Sequence, residues 1–449
     1  MSDAYDNNND ISDLKDSNKN VKRKKSNSVS TSSSSSASKK TKVTALCQTD
    51  ATPLDKLFPN GEESTSGYKY KIITWNVAGL RALIKNHPMA LSNLATEHDA
   101  DVICLQETKL QPDHVYDDKL KIQDILKEEG YKSYFSCCSV KKGYSGTAVF
   151  IKQYNHDEHD VTNIKQKKSK QMTLNFGSKN DSIKTSSSTV LKKKHPLLNH
   201  SEFIQQNLIP KRISFSMNHI HHHDHMDKND EDDHDPEGRI ICVELPNFFF
   251  VNLYVPNSGQ KLERLDYRIH TWDKTLSKYM YECMLKWKKP GMWLGDLNVA
   301  HLEKDVWNYG AKHLLKQAGC TLEERASFDE LLRGYKTNET EEEKEEDEGS
   351  HHQSDNPVFR DVFRTLHPNA SGHYSYWSQR AGNRLPNKGL RLDYFVAHNS
   401  MFSNHGSSHE KKKEEDASRV LVRDSYMLPN VQGSDHCPCV LELELRDVP

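Results

Sequence analysis

No two of the nine cysteines, at 47, 104, 137, 138, 242, 283, 320, 437 and 439, are spaced as CxxC. Several lie inside apolar runs, as buried free thiols do. A disulfide scaffold is therefore not expected, and a reducing compartment is. No apolar run approaches the length of a membrane span, so no membrane partner is expected. The first ten residues, "MSDAYDNNND", are acidic and match neither a secretory signal nor an arginine-rich transit peptide. Apolar residues are scarce: 35% of 449, against 28% charged, with a mean hydropathy of −0.85. That is too polar for one compact fold of this length. A strong charge of one sign is also missing. The net charge of −2 averages acidic tracts against the remainder, so it excludes no nucleic-acid partner.

The apolar deficit is concentrated in biased segments. Residues 1–66 hold "DNNND", "KRKK" and a serine run at 32–36, and read as a disordered basic and serine-rich tail. The basic clusters at 22–25 and at Lys39, Lys40 and Lys42 read as a nuclear import signal, which predicts a nuclear protein. Lysine-, serine- and histidine-rich tracts fill 153–235. "EEEKEEDE" lies in 336–355 and "EKKKEED" in 403–418. All three read as low-complexity insertions into a single domain over 67–449. The segments that remain, 67–152, 236–335, 356–402 and 419–449, are long enough for one large core.

Those segments alternate between strand and helix patterns. "YKIITWNVAGL" (70–80), "DVICLQET" (101–108), "SGTAVFIK" (145–152), "RIICVEL" (239–245), "FFFVNLYVPN" (248–257), "MWLGDLNVA" (292–300), "RLDYFVAH" (391–398) and "CVLELEL" (439–445) predict strands. Pro246 and Asn247 predict a hairpin between two of them. Leu265, Ile269, Trp272, Leu276, Tyr279 and Cys283 recur at helical steps over 263–288. Thr321 and Glu324 predict a capping box. Mixed elements with hairpins imply α/β layers with antiparallel pairing.

The strand-like runs share one feature: each of six carries a carboxylate, amide or histidine, most of them at an end. The residues are Asn76, Glu107, Tyr254 with Asn257, Asp296 with Asn298, Asp393, and Asp435 with His436. One such residue is ordinarily a cap or a turn. Six converging on a rim would repel one another unless a cation sat among them. Hard oxygen ligands suit Mg²⁺ or Mn²⁺, which points to metal-assisted hydrolysis of a phosphoester.

"ITWNVAGLRA", "ICLQETK", "GYSG", "YVPNSG", "LGDLNVAH", "AGCTLEERASFDELL", "RLDYF" and "GSDHCP" occur in the order in which the exonuclease III family of apurinic/apyrimidinic endonucleases carries them. The chain resembles that family across its core and in none of its insertions. The resemblance implies a four-layer α/β sandwich, two packed β-sheets flanked by helices. It implies Mg²⁺-dependent cleavage 5′ to abasic sites in double-stranded DNA, leaving a 3′-hydroxyl and a 5′-deoxyribose phosphate. Some 3′–5′ exonuclease and 3′-phosphodiesterase activity is implied too, by a monomer.

The implied roles follow position by position. Glu107 is the main metal carboxylate, with Asn76 beside it and Asp435 near the ion. Asp296, Asn298 and His436 are implied members of the metal site as well. Asp296 deprotonates the attacking water, and Asn298 holds that water and the phosphate. His436, oriented by Asp393, donates to a phosphate oxygen. Tyr254 and Asn257 contact the scissile phosphate. Arg81, Lys109 and Tyr144 grip the DNA backbone. Tyr376, Leu390 and Leu392 form the pocket for an extruded abasic sugar.

The sequence departs from the animal members at Ala78 for an aspartate, Gln260 for an arginine and Leu390 for a tryptophan, and Ile73 stands where some of them carry a cysteine. The pocket changes leave the balance of endonuclease and 3′-end activities open. "GDLN" and "SDH" also occur in DNase I-like nucleases, inositol phosphatases and sphingomyelinases. A different phosphoesterase, or an inactive DNA-binding scaffold, therefore stands as the alternative. "HIHHHDH" (219–225) reads as low complexity without a specific metal site. "KQMTLNF" (170–176) resembles a sliding-clamp peptide through Gln171, Leu174 and Phe176, but its aromatic spacing is off and a linker is expected.

Overall fold

The computed structural model describes residues 67–153, 203, 207–217, 234–336, 357–402 and 419–446. The tail and most of the three insertions lie outside these residues. Twelve strands are present among them: β1 (Gly67–Asn76), β2 (Val102–Gln106), β3 (Tyr131–Ser136), β4 (Thr147–Lys152), β5 (Arg212–Ser214), β6 (Ile240–Glu244), β7 (Phe249–Tyr254), β8 (Gly291–Asp296), β9 (Phe359–Asp361), β10 (Asp393–His398), β11 (Val420–Met427) and β12 (Cys439–Arg446). They form two six-stranded sheets, ordered β11-β12-β1-β2-β4-β3 and β5-β6-β7-β8-β10-β9. Only β1–β2 and β7–β8 pair in parallel. A parallel pair needs a crossover. Helices Leu80–Asn86 and Ala90–Glu97 supply the first, and helix Asp273–Trp287 the second.

Alternation along each strand builds the layers. Ile72, Cys104, Phe250, Met292, Leu294, Phe395, Leu441 and Leu443 fill the space between the sheets. Their neighbours Ile73, Trp75, Ile103 and Leu105 face the other way, onto Leu83, Leu91 and Leu94. On the second sheet Val251, Leu253, Trp293 and Val396 face Leu276, Tyr279, Phe328 and Leu331. The result is the expected helix–sheet–sheet–helix sandwich. The predicted hairpin closes β6 and β7, with Leu245 N donating to Phe248 O at 2.9 Å.

Three details depart from the sequence reading. The insertion at 153–235 is not a loop throughout. Within it β5 pairs with β6, and Phe203 and Leu208 are buried in the core between the sheets. A three-residue strand among lysines and serines has no periodicity to betray it. The helical run over 263–288 contains a π-helical stretch, Tyr267–Trp272. Its wider turn places Arg268 inward, 1% exposed, while Ile269 is only half-buried. Strands β3, β9 and β11 were not expected from the pattern.

Candidate active site

The inward-facing positions change character toward one end of the sandwich. Along β1 they run Ile72, Thr74, Asn76; along β2, Cys104 and Gln106; along β7, Phe250, Asn252, Tyr254; along β8, Met292, Leu294, Asp296. Antiparallel β10 reverses the order, with Ala397, Phe395 and then Asp393. Apolar residues thus fill the middle of the interface and polar ones close one rim. A bridging layer lies just beneath the rim. Gln106 Nε2 donates to Thr74 Oγ1 at 2.8 Å and to Asn252 Oδ1 at 2.6 Å, which links the two sheets.

At the rim, Asn76 Nδ2 donates to Glu107 Oε1 (3.1 Å) and to Asp296 Oδ2 (2.8 Å). Tyr254 donates its hydroxyl to Glu107 Oε1 at 2.8 Å. Lys109 Nζ is 2.9 Å from Glu107 Oε2 and also donates to Ala78 O. Burial would raise the Glu107 carboxyl, but the Lys109 charge and the donors Asn76 and Tyr254 hold it below the usual range. On the other side of Asp296, His436 Nδ1 is 2.7 Å from Asp393 Oδ2, and Nε2 is 4.0 Å from Asp296 Oδ2. Burial acts against the imidazolium, yet Asp393 and Asp296 raise its pKa to about 10. Burial pushes Asp296 up to about 7, with Asp393 and Glu107 adding to the shift and His436 opposing it.

Asp296 therefore joins two groups, one with Asn76 and Glu107 and one with Asp393 and His436. Ligand atoms of Asp296, Asp393 and His436 lie within 4.8 Å of one another. Asp393 Oδ1 is buried with no hydrogen-bond partner among the described residues. The carboxylates of Glu107 and Asp296, bridged by Asn76 Nδ2, are hard oxygen donors that fit a divalent cation.

The end of β8 and the loop that follows it are built for close approach. A Cβ on Gly295, φ +125°, would fall 2.1 Å from Leu253 O. Asn298 and Glu107 both sit in the left-handed region, at φ +50° and +51°, strain of a kind that concentrates at functional sites. Asn298 N donates to Asp296 Oδ1 (3.0 Å), its Nδ2 donates to Val255 O (2.9 Å), and its Oδ1 accepts from Asn257 Nδ2 (2.9 Å). Asp435 is half-buried, with its Oδ1 3.4 Å from Ser434 Oγ. Its charge reaches both His436 and Tyr376.

The expected DNA contacts are placed less uniformly. Arg81 is exposed and 3.1 Å from His114 Nε2. Lys109 is already paired with Glu107. The Tyr144 hydroxyl accepts from Arg239 Nη2 and Arg264 Nη1, both at 2.8 Å. The Tyr376 ring lies 4.9 Å from the His436 ring. Leu390 and Leu392 are each 6% exposed and pack with Ala300, Val306, Leu314 and Cys320. They form the floor of an apolar patch, and Tyr376 is the member of the three that reaches solvent.

Sequence reasoning missed several supports. Ser375 Oγ accepts from the N–H groups of Leu392 and Asp393, and Ser434 Oγ donates to Asn76 O at 2.7 Å. Trp75 Nε1 donates to His436 O. Arg239 stacks on the Tyr254 ring at 4.7 Å. Ser434 was within sight, inside "GSDH"; the others carry no local signal.

Residues 73–436 match the model of a family described as the Endonuclease/Exonuclease/phosphatase family. An exodeoxyribonuclease of Bacillus subtilis is 32% identical over 375 residues, 84% of this chain and 100% of that protein. A DNA-(apurinic or apyrimidinic site) endonuclease of Dictyostelium discoideum is 29% identical over 407 residues, 90% of this chain and 77% of that one. The solved structure of an AP endonuclease from Leishmania major is similar with a TM-score of 0.58 at 27% identity, covering 89% of this chain and 94% of that one. The chain belongs to the Endonuclease/Exonuclease/phosphatase family, in its exonuclease III-type branch of apurinic/apyrimidinic endonucleases.

Proposed function

We propose that this protein is a DNA repair nuclease that hydrolyses the phosphodiester 5′ to abasic sites in double-stranded DNA. It acts as a monomer, with Mg²⁺ (or Mn²⁺) as cation and with some 3′–5′ exonuclease and 3′-phosphodiesterase activity. The observation that carries this reading is the single polar rim drawn from both sheets: Asn76, Glu107, Tyr254, Asp296, Asp393 and His436.

Each side chain has a chemical part. Asp296 is the acceptor for a proton from the attacking water. Asn76 and the Asn298 N–H fix its carboxylate in place. Because Nδ1 of His436 is held by Asp393, Nε2 is left to donate to a non-bridging phosphate oxygen, where charge develops. Tyr254 orients Glu107, and Asn257 is exposed beside Asn298, where both Tyr254 and Asn257 would contact the scissile phosphate. Glu107 and Asp296, with Asn76 between them and Asp435 at the margin, would hold a divalent cation, which would supply positive charge against the phosphate.

The test is nicking of a duplex with one abasic analogue, with Mg²⁺ and with EDTA, beside an inositol phosphate and a sphingomyelin substrate. Mg²⁺-dependent nicking confined to the abasic duplex is expected. Phosphate release from a lipid headgroup without nicking would replace the reading with the other phosphoesterase class.

Nuclear entry through the clusters at 22–25 and 39–42 belongs to the same proposal. Changing those lysines and Arg23 to Gln should move a fluorescent fusion toward the cytoplasm. The clamp-like segment 170–176 and the histidine-rich tract lie outside the described residues, and no role is assigned to them.

A further inference from the structure

Glu324 opens helix Leu322–Arg333 and completes its capping box with Thr321. Capping uses one of its oxygens: Oε2 accepts from Thr321 N (3.1 Å), Thr321 Oγ1 (2.9 Å) and Gly319 N (2.8 Å). The other, Oε1, accepts from Ser258 Oγ at 2.5 Å, across a long stretch of sequence. Both side chains are fully buried. A cap alone needs no such partner.

The two ends of this link reach the two site loops. Ser258 follows Asn257. Gly319 O accepts from Ala300 N at 2.7 Å, two residues beyond Asn298. Gly319 also lies against that loop: a Cβ there would fall 3.1 Å from Asn298 O. One buried carboxylate thus fastens the loop of Asn257 and the loop of Asn298, and these two side chains meet at 2.9 Å. We infer that Glu324, through Ser258, is a positioning residue that sets the register of the Asn257–Asn298 pair at the scissile phosphate. The inference rests on the proposed nuclease function.

Small displacements of positioning groups have large effects on rate. Ser258→Ala leaves Oε1 without its donor and frees the loop of Asn257. It should lower kcat for nicking roughly tenfold or more, with KM unchanged and the thermal transition still cooperative. If Ser258 acts through Asn257, the loss should largely vanish in an Asn257→Ala background, because interacting residues are not additive. Thr321→Ala touches the same carboxylate from the capping side. It should lower Tm without this coupling.

Glu324→Gln is the second variant, should Ser258→Ala not fold. Its carbonyl oxygen can keep the three donors on the capping side. Its NH₂ then faces Ser258, whose hydroxyl must turn to accept. A smaller kcat loss, again absent with Asn257→Ala, is expected. An unchanged kcat, or losses that multiply with Asn257→Ala, would overturn the inference. An unmodified protein that nicks nothing would overturn the nuclease function, and the inference would fall with it.

Discussion

Asp296 and Asp305 are both almost fully buried aspartates, one at the rim and one just beyond it, and their surroundings differ sharply. Asp305 accepts from Arg391 Nε (2.7 Å), Arg391 Nη2 (2.9 Å), Arg364 Nε (3.0 Å) and Leu302 N (2.9 Å). Arg391 also pairs with Asp361. Burial opposes the Asp305 charge, but the two arginines hold its pKa at about 2. Among the described residues no arginine pairs with Asp296, and the cationic group paired with it is the His436 imidazole at 4.0 Å. Its pKa moves the other way, to about 7. A satisfied network fastens the Leu302–Val306 turn to helix Val362–Leu366 and to the start of β10. An under-compensated cluster leaves acceptors for a cation and for a water proton.

Breaking each cluster should therefore break a different property. Asp296→Asn gives the largest expected effect. It keeps size and removes the acceptor for the water proton, so nicking of abasic duplex should fall by ~10²–10⁴-fold. DNA retention in a gel shift and Tm should hold, since an unfavourably buried carboxylate has been removed. Near-normal nicking would sink the mechanism. Loss of nicking together with loss of the cooperative melt would make Asp296 a structural residue.

Asp305→Asn is the mirror experiment. It leaves Arg391 and Arg364 buried with half their partners gone. Removing one side of a buried ion pair costs ~3–5 kcal/mol. A lower urea midpoint is expected, with kcat little changed at temperatures where the variant is folded. A specific kcat loss without destabilisation would erase the distinction between the clusters.

His436→Asn ranks next, because a donor to transition-state charge is typically worth ~10²–10³-fold. His436 and Asp296 serve one step, so the double variant should lose less than the product of the two losses. A full product would mean that they act in separate steps.

The two clusters were not equally legible. Asn76, Glu107, Asp296, Asp393 and His436 stood out because each breaks an apolar alternation near the edge of a predicted strand. A period of two also tells which face such a residue shares. The Asp305–Arg391–Arg364–Asp361 network breaks no local pattern. Its members lie on a turn, two strand edges and a short helix, and only tertiary structure joins them. The Glu324–Ser258 link was half visible: the capping box could be read, the second oxygen's partner could not. Lys109 and Tyr144 were read as DNA contacts from motif position alone. Lys109 instead turns back onto Glu107, two positions before it, and the Tyr144 hydroxyl accepts from Arg239 and Arg264, which are far away in sequence. Strand β5 escaped notice because three residues are too few to set a period.

Acid titration gives the smallest effect and separates the clusters by sign. Asp305 has a folded pKa of about 2, against roughly 3.9 when unfolded. A depressed folded pKa stabilises fully above the unfolded value. That contribution is then lost as pH falls from about 4 through about 2, an effect of at most roughly 3 kcal/mol. Asp296, raised to about 7, has the opposite slope. Between about pH 4 and 7 the unfolded chain has released its proton and the folded chain has not, so stability declines as pH rises. Urea midpoints from pH 2.5 to 8, measured without divalent cation, test both slopes. Asp305→Asn should flatten the acid limb alone, and Asp296→Asn the decline between about pH 4 and 6.5, below the range in which His436 adds its own. An acid limb that survives in Asp305→Asn would assign it to other carboxylates and remove the arginine-compensated cluster as its source.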